Sequence, residues 1–173
     1  MARYAIVPER SQVWIDARSN VHPIHSATTG LEGFVELALD QTGAVDLAQS
    51  PGGRLSLGVA SLKSGNRTED RELQKRIDAR RYPTIEGTLD SMVANGAVGS
   101  YQAKGTITFR GVSRPHEDQL TITLVDEDTL RLQGSSRFDI RDFGMQPPKL
   151  LLLKVEPEVE VGIEVFATKE EGQ

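Results

Sequence analysis

Apolar and polar residues alternate with a period of two along most of this chain, which is typical of strands with one apolar face. The clearest case is 101–110, where Tyr101, Ala103, Gly105, Ile107 and Phe109 alternate with polar residues. The same pattern predicts strands over 4–7, 13–17, 31–39, 55–59, 85–89, 120–124, 130–140 and 159–165.

Short turn sequences rich in Gly, Pro, Asn and Asp separate these strands, at 40–43, 50–53, 95–96 and 126–128. About eight strands with one apolar face each predict an all-β fold, an antiparallel sheet curled on itself or doubled. No internal repeat or low-complexity linker interrupts the 173 residues, so we expect residues 1–173 to form one domain.

One segment, 68–80, lacks both the alternation and any Gly, Pro or Val, and it predicts a short helix. Asn66 stands where an N-terminal cap is expected. Leu73 and Ile77 form a narrow apolar stripe, and Pro83 is expected to end the segment. We interpret this helix as a cover over one end of the barrel.

Charge and composition exclude several classes of partner. The net charge of −5 comes without a basic stripe, so no nucleic acid partner is expected. The chain has no Cys, which excludes disulfides and thiolate metal sites. The only apolar run near the N-terminus, 4–7, is too short for a secretion signal or a spanning helix, so we expect a cytoplasmic protein without stable membrane insertion.

No motif points to catalysis, and we expect neither an enzyme nor a cofactor. His22, His25 and His116 are interpreted as surface or loop residues rather than a metal site, because the spacing of the first two puts them on opposite faces of a strand. A small hydrolase built on His25 and Ser26 is a less favoured alternative, since no nucleophile elbow, P-loop or dinucleotide fingerprint is present.

A resemblance to a known family covers nearly the whole chain. It is carried by the segments 64–66, 70–73, 77–78 and 82–85, then by Gly105–Thr108 with Gly111–Pro115, and by Arg141–Met145. In this order the segments resemble the YceI-like, lipocalin-resembling family. Where that family often has Phe after the "P-t-I-x" element, this chain has Gly87.

The resemblance implies an antiparallel eight-stranded lipocalin-like barrel, with one or two short helices, that encloses a polyisoprenoid or quinone-like lipid. The expected function is to bind, sequester or transport this isoprenoid-type lipid. Arg141 is a candidate contact for its polar head, although a structural role is favoured for the segment. The expected lumen residues are Trp14, Tyr101, Ala103, Gly105, Ile107, Phe109, Leu132, Gly134, Phe138 and Phe143.

Side-chain volume supports a cavity independently of the resemblance. The predicted inner face contains Gly33, Gly87, Ala103, Gly105, Gly134 and Ser136 among larger apolar residues. Small residues leave unfilled space in a barrel of this size, and a bound apolar chain would occupy it. In the alternative, these glycines only let strands bend, and the barrel is a side-chain-filled interaction or stress-linked structural module.

Four consecutive leucines, 150–153, break the alternation after Pro147-Pro148-Lys149. They cannot all face one interior from a strand, so some must point outward. Self-association as a homodimer is the preferred explanation.

Overall fold

Antiparallel strands form most of the regular structure in residues 1–147, 149–150 and 152–171, the parts of the chain that the computed structural model describes. The side chains of residues 149 and 150 lie outside this description. The strands are β1 (Ala2–Ile6), β2 (Gln12–Ser19), β3 (Ile24–Thr28), β4 (Glu32–Leu37), β5 (Gly52–Gly58), β6 (Thr84–Ala94), β7 (Ser100–Phe109), β8 (Val112–Asp126), β9 (Thr129–Asp139), β10 (Lys149–Leu150) and β11 (Leu153–Lys169), with the helix α1 (Arg67–Ile77) between β5 and β6.

The sheet closes on itself. Pairing runs in the order β1, β4, β5, β6, β7, β8, β9 and β11, and β11 pairs again with β1. Strands β1 and β2 lie end to end along β11, so together they form one interrupted strand of the barrel. Strands β4 and β3 lie beside β1 and β2 and form a second interrupted strand. The result is the predicted all-β, eight-stranded antiparallel barrel, in which closure removes the free edges that an open sheet would expose.

The predicted N-terminal cap of α1 is confirmed, but the predicted end of the helix is wrong. The Asn66 side chain accepts hydrogen bonds from the backbone N–H groups of Thr68 and Glu69, at 3.0 and 3.1 Å. The helix ends at Ile77 because Asp78 adopts a left-handed conformation with φ 61°. A left-handed residue ends a helix by itself, so Pro83 is not the stop.

Two separate apolar clusters fill the two ends of the barrel. On β7, Tyr101 belongs to the first cluster and Phe109 to the second. On β9, Leu132 and Phe138 divide in the same way. The first cluster is completed by β1, β4 and the 38–47 loop, and the second by Ile77 of α1 and the 140–145 segment. The middle of the barrel lies between them.

One strand was not predicted, and others are longer than predicted, such as β6, which runs to Ala94, and β11, which runs from Leu153 to Lys169. The unpredicted strand is β3, which begins at Ile24 and pairs with β2; His25 lies on it with an exposed side chain, in agreement with a surface position. Strand β8 begins at Val112, well before the predicted start at residue 120. Its early residues are mostly polar and show no alternation, but the tight turn at Arg110 and Gly111, both with positive φ, directs them back along β7.

The leucine run is only partly described. Leu151 and the side chain of Leu150 lie outside the described residues. Leu152 is 85% exposed, while Leu153 contributes to the wall of the interior. The homodimer therefore stays a prediction.

Candidate functional site

A cavity of about 390 Å³ occupies the space between the two end clusters. Residues of β2 to β9 and of β11 contribute to its wall, and α1 covers one side. Pockets of roughly 300–1,000 Å³ lined mainly by apolar side chains are typical of small-molecule sites. The interior is thus neither filled by side chains nor open to water along its whole length.

Most of the predicted lumen residues line this cavity. The eight that do are Ala103, Gly105, Ile107, Phe109, Leu132, Gly134, Phe138 and Phe143. They come from β7, β9 and the short 3-10 turn after β9. Their contact with a ligand remains a prediction.

Trp14 and Tyr101 lie elsewhere. Val13 and Ile15 face the cavity, so the indole of Trp14 lies on the outer face, across from Gly162 of β11, where an added Cβ would come within 2.1 Å of the ring. Tyr101 is 4% exposed in the first end cluster, and its hydroxyl accepts a 3.0 Å hydrogen bond from the Val45 N–H. It closes one end of the barrel.

The inward glycines divide into two kinds. At Gly87 the nearest atom to an added Cβ is the side-chain Cδ1 of Ile107 at 3.3 Å, and at Gly134 it is the backbone carbonyl oxygen of Gln119, also at 3.3 Å, so a shift of a few tenths of an ångström would admit a Cβ. At Gly105 the Cβ would lie 1.8 Å from the carbonyl oxygen of Thr88, and at Gly33 it would lie 1.9 Å from that of Arg54. Gly33 is absent from the cavity wall. Gly105 and Gly33 thus allow close backbone approach, and only the first kind reserves space for a guest.

Arg141 is not in the cavity wall, contrary to its expected head-group role. Its guanidinium pairs with Asp139, with Nη2 and Oδ2 2.7 Å apart. This hydrogen-bonded pairing lowers the pKa of Asp139 and raises that of Arg141. Both side chains are engaged with each other at the surface, which fits the structural role favoured for this segment.

A group of polar side chains faces the cavity from β8 and β9. Ser136 was expected on the inner face, whereas His116 was expected at the surface or in a loop and Asp118 was missed. His116 Nε2 lies 3.1 Å from Ser136 Oγ and 3.6 Å from Asp118 Oδ2, and the imidazole ring packs on Phe138 with 4.5 Å between centroids. The pairing register could have revealed it, because the two-residue turn at 110–111 places His116 opposite Gly105 and Asp118 opposite Ala103.

Carboxylates border the cavity where α1 covers it. Asp70 is 9% exposed and accepts hydrogen bonds from the N–H and hydroxyl of Ser64, at 2.9 and 2.6 Å. Glu69 lies 3.4 Å from His22, and Glu72 pairs with Arg76 at 3.0 Å. The contacts of Asp70 and Glu69 tie the helix to Ser64 and His22, whereas the Glu72 pair lies within the helix, and the three carboxylates make this border acidic.

Comparison with known proteins identifies the family. The model of the YceI-like domain matches residues 4–167. The chain belongs to the YceI-like family. No curated protein sequence matches it.

Solved structures of low sequence identity share this YceI-like fold. Burkholderia cenocepacia BcnA has a TM-score of 0.78 at 17% identity, over 94% of this chain and 99% of that one. A polyisoprenoid binding domain from Saccharophagus degradans, implicated in plant cell wall breakdown, has a TM-score of 0.76 at 14% identity, over 98% and 100%. The Campylobacter jejuni YCEI protein has a TM-score of 0.66 at 19% identity, over 84% and 85%.

The late YceI-like motifs lie together at one end of the barrel. Arg110 donates to the carbonyl groups of Ile77 and Phe143, at 3.2 and 3.4 Å, and Arg114 Nε donates to that of Asp142 at 3.0 Å. The Phe143 ring packs edge-on against Phe109, with 5.7 Å between centroids. Their observed contacts close the barrel.

No helix in the described part of the chain is long and apolar enough to cross a membrane.

Proposed function

We propose that this YceI-like protein binds an isoprenoid-type lipid, polyisoprenoid or quinone-like, inside the barrel and sequesters or transports it. The observation that carries the proposal is the apolar cavity of about 390 Å³ between two packed ends. The polyisoprenoid binding domain from Saccharophagus degradans has the same fold over nearly its full length, which supports this choice of ligand class.

The physical driving force is burial of apolar surface. Each CH₂-sized unit moved from water into the cavity contributes about 0.8 kcal/mol. An apolar cavity offers water few hydrogen-bond partners, so it stays dry or takes an apolar guest. Association costs several kcal/mol of rigid-body freedom, and a chain of roughly ten such units exceeds that cost.

A binding role without catalysis is part of this proposal, and the cytoplasm is the proposed compartment. A side-chain-filled module would need side chains that meet across the centre of the barrel. The middle of this barrel instead retains room between Gly87, Ala103 and Gly134. A carrier therefore fits the interior better than a filled module does.

The test is to purify the protein from its expression host, extract it with organic solvent, and identify stoichiometric lipid by mass spectrometry. We expect either a co-purified isoprenoid or saturable binding of an added one. Absence of both would refute the proposed function. Delivery of the bound lipid between two vesicle populations would separate transport from simple sequestration.

A further inference from the structure

The barrel wall is interrupted between part of β8 and part of β9. In the described part of the chain, the pairing of these two strands ends at Leu120 and Gly134. Beyond that point, residues 112–119 pair with β7 and residues 135–139 pair with β11. We call the interval between 112–119 and 135–139 the seam. Side-chain contacts, rather than backbone pairing, join its two sides: His116 packs on Phe138, and Arg114 Nε donates to the Asp142 carbonyl.

The polar group of His116, Asp118 and Ser136 lies at this seam. The hydrogen bond between His116 and Ser136 spans it, and both residues contribute to the cavity wall. The side chains of His116 and Asp118 are 26% and 39% exposed, so their polar atoms are accessible at the cavity wall. An apolar chain in the cavity could therefore present its polar end here without burying an unpaired polar atom.

The chemistry of the group suits a hydroxyl. An alcohol can donate to the Asp118 carboxylate while it accepts from the Ser136 hydroxyl or the His116 ring. A ligand hydrocarbon would leave these polar atoms facing an apolar neighbour, which is unfavourable.

A phosphate is a poorer match. It would lie beside the negative charge of Asp118, and the border under α1 adds Glu69, Asp70 and Glu72. The cation on the same face of β8 is Arg114, whose Nε is engaged with the Asp142 carbonyl and which is absent from the cavity wall. Two cations also contribute to the cavity wall, but Arg54 pairs with Glu86 at 2.9 Å and Lys104 lies 3.9 Å from Glu117. The charges around the polar group thus favour an uncharged head.

We propose that His116, Asp118 and Ser136 form the subsite for an uncharged hydroxyl head group, held at the lateral seam while the lipid chain lies in the cavity. This inference rests on the proposed function. It assigns the head group to the side of the barrel rather than to Arg141 near its closed end.

Affinities for three ligands with the same chain and different heads test the subsite: farnesol, farnesene and farnesyl diphosphate, each measured by displacement of N-phenyl-1-naphthylamine. We expect farnesol to bind about tenfold more tightly than farnesene, the effect of one or two net hydrogen bonds, and more tightly than the diphosphate. In Asp118→Ala and in Ser136→Ala, the ratio of the farnesol and farnesene affinities should fall toward one.

Glu117→Ala is the matched control. Glu117 is the exposed neighbour of Asp118 on the same strand, 3.9 Å from Lys104, and it is not in the cavity wall. In Glu117→Ala, the ratio of the farnesol and farnesene affinities should equal that of the wild type.

Each other outcome overturns the subsite. If farnesene binds as tightly as farnesol, or if the diphosphate binds most tightly, lipid binding stands and the hydroxyl subsite does not. An equal fall of the ratio in Glu117→Ala would show a general effect of charge on β8. If none of the three ligands binds, the proposed function and the subsite are both refuted.

Discussion

Replacement of Gly87 by Leu should fill part of the cavity and leave the barrel intact. Gly87 lies between Leu55 and Ile107 in one row of inward positions across β5, β6 and β7. The closest atom to an added Cβ is the terminal Cδ1 of Ile107 at 3.3 Å, at the end of a flexible side chain. The new side chain therefore has room to enter the cavity.

The expected loss of affinity follows from the volume exchanged. Leu adds four carbon atoms to the interior, and a bound chain must give up about as many of its own buried carbons. At about 0.8 kcal/mol for each, the loss is roughly 3 kcal/mol, or about a hundredfold in Kd. The folded state gains apolar burial in the same exchange, so the unfolding midpoint should not fall.

The assay is titration with farnesol, combined with thermal unfolding of the ligand-free protein. Gly58→Leu is the control, because Gly58 pairs with the exposed Thr84 and has no atom within 4 Å of an added Cβ. It places the same side chain on the outer face and should bind as the wild type does. Equal affinity in Gly87→Leu and Gly58→Leu, with both proteins folded, would refute the assignment of the cavity as the lipid site.

The remaining predictions concern stability. Gly105→Ala should destabilise the barrel by about 3 kcal/mol or more in chemical unfolding, because the added Cβ would lie 1.8 Å from the Thr88 carbonyl oxygen. Gly134→Ala should cost less than half of that, because its added Cβ would lie 3.3 Å from the Gln119 carbonyl oxygen; equal effects would contradict the distinction between the two glycines. Asn66→Ala removes the cap of α1 and should cost about 1 kcal/mol, with faster amide exchange in the first turn; unchanged exchange would show that the cap is dispensable. Because Arg141 lowers the pKa of folded Asp139, their pairing stabilises the protein above the unfolded pKa of about 3.9 and loses this effect as pH falls through the lower folded value. Unfolding curves of Asp139→Asn and wild type should therefore differ at neutral pH and converge in acid, and a constant difference would refute this linkage.

Local rules were sufficient for most elements of the fold, but not for β3 or the start of β8. Period-two alternation located most of the strands, and Asn66 marked the start of the helix, because both signals depend only on neighbouring residues. The YceI-like resemblance added the barrel, which alternation alone left open between a curled and a doubled sheet. The polar start of β8 was missed because strand formation there depends on the partner β7 rather than on a local apolar pattern.

In the candidate site too, some features followed from the local sequence and others depended on partner strands. Gly87 and Gly105 both lie at inward positions, on the paired strands β6 and β7, yet an added Cβ first meets the end of the Ile107 side chain at Gly87 and the Thr88 backbone at Gly105. That difference is a distance between paired strands, which the residue type does not encode. Trp14 likewise lies on the outer face of the barrel, opposite Gly162 of the distant strand β11, and not on the inner face as expected.

The sequence by itself determined most of the strands and turns, and that one face of most strands is apolar, because these follow from interactions between near neighbours. Only the tertiary structure decided that the two ends pack while the middle stays open, and that polar residues of β8 border the cavity. Those features depend on how far apart the strands lie once the barrel has closed, and no local pattern encodes that distance.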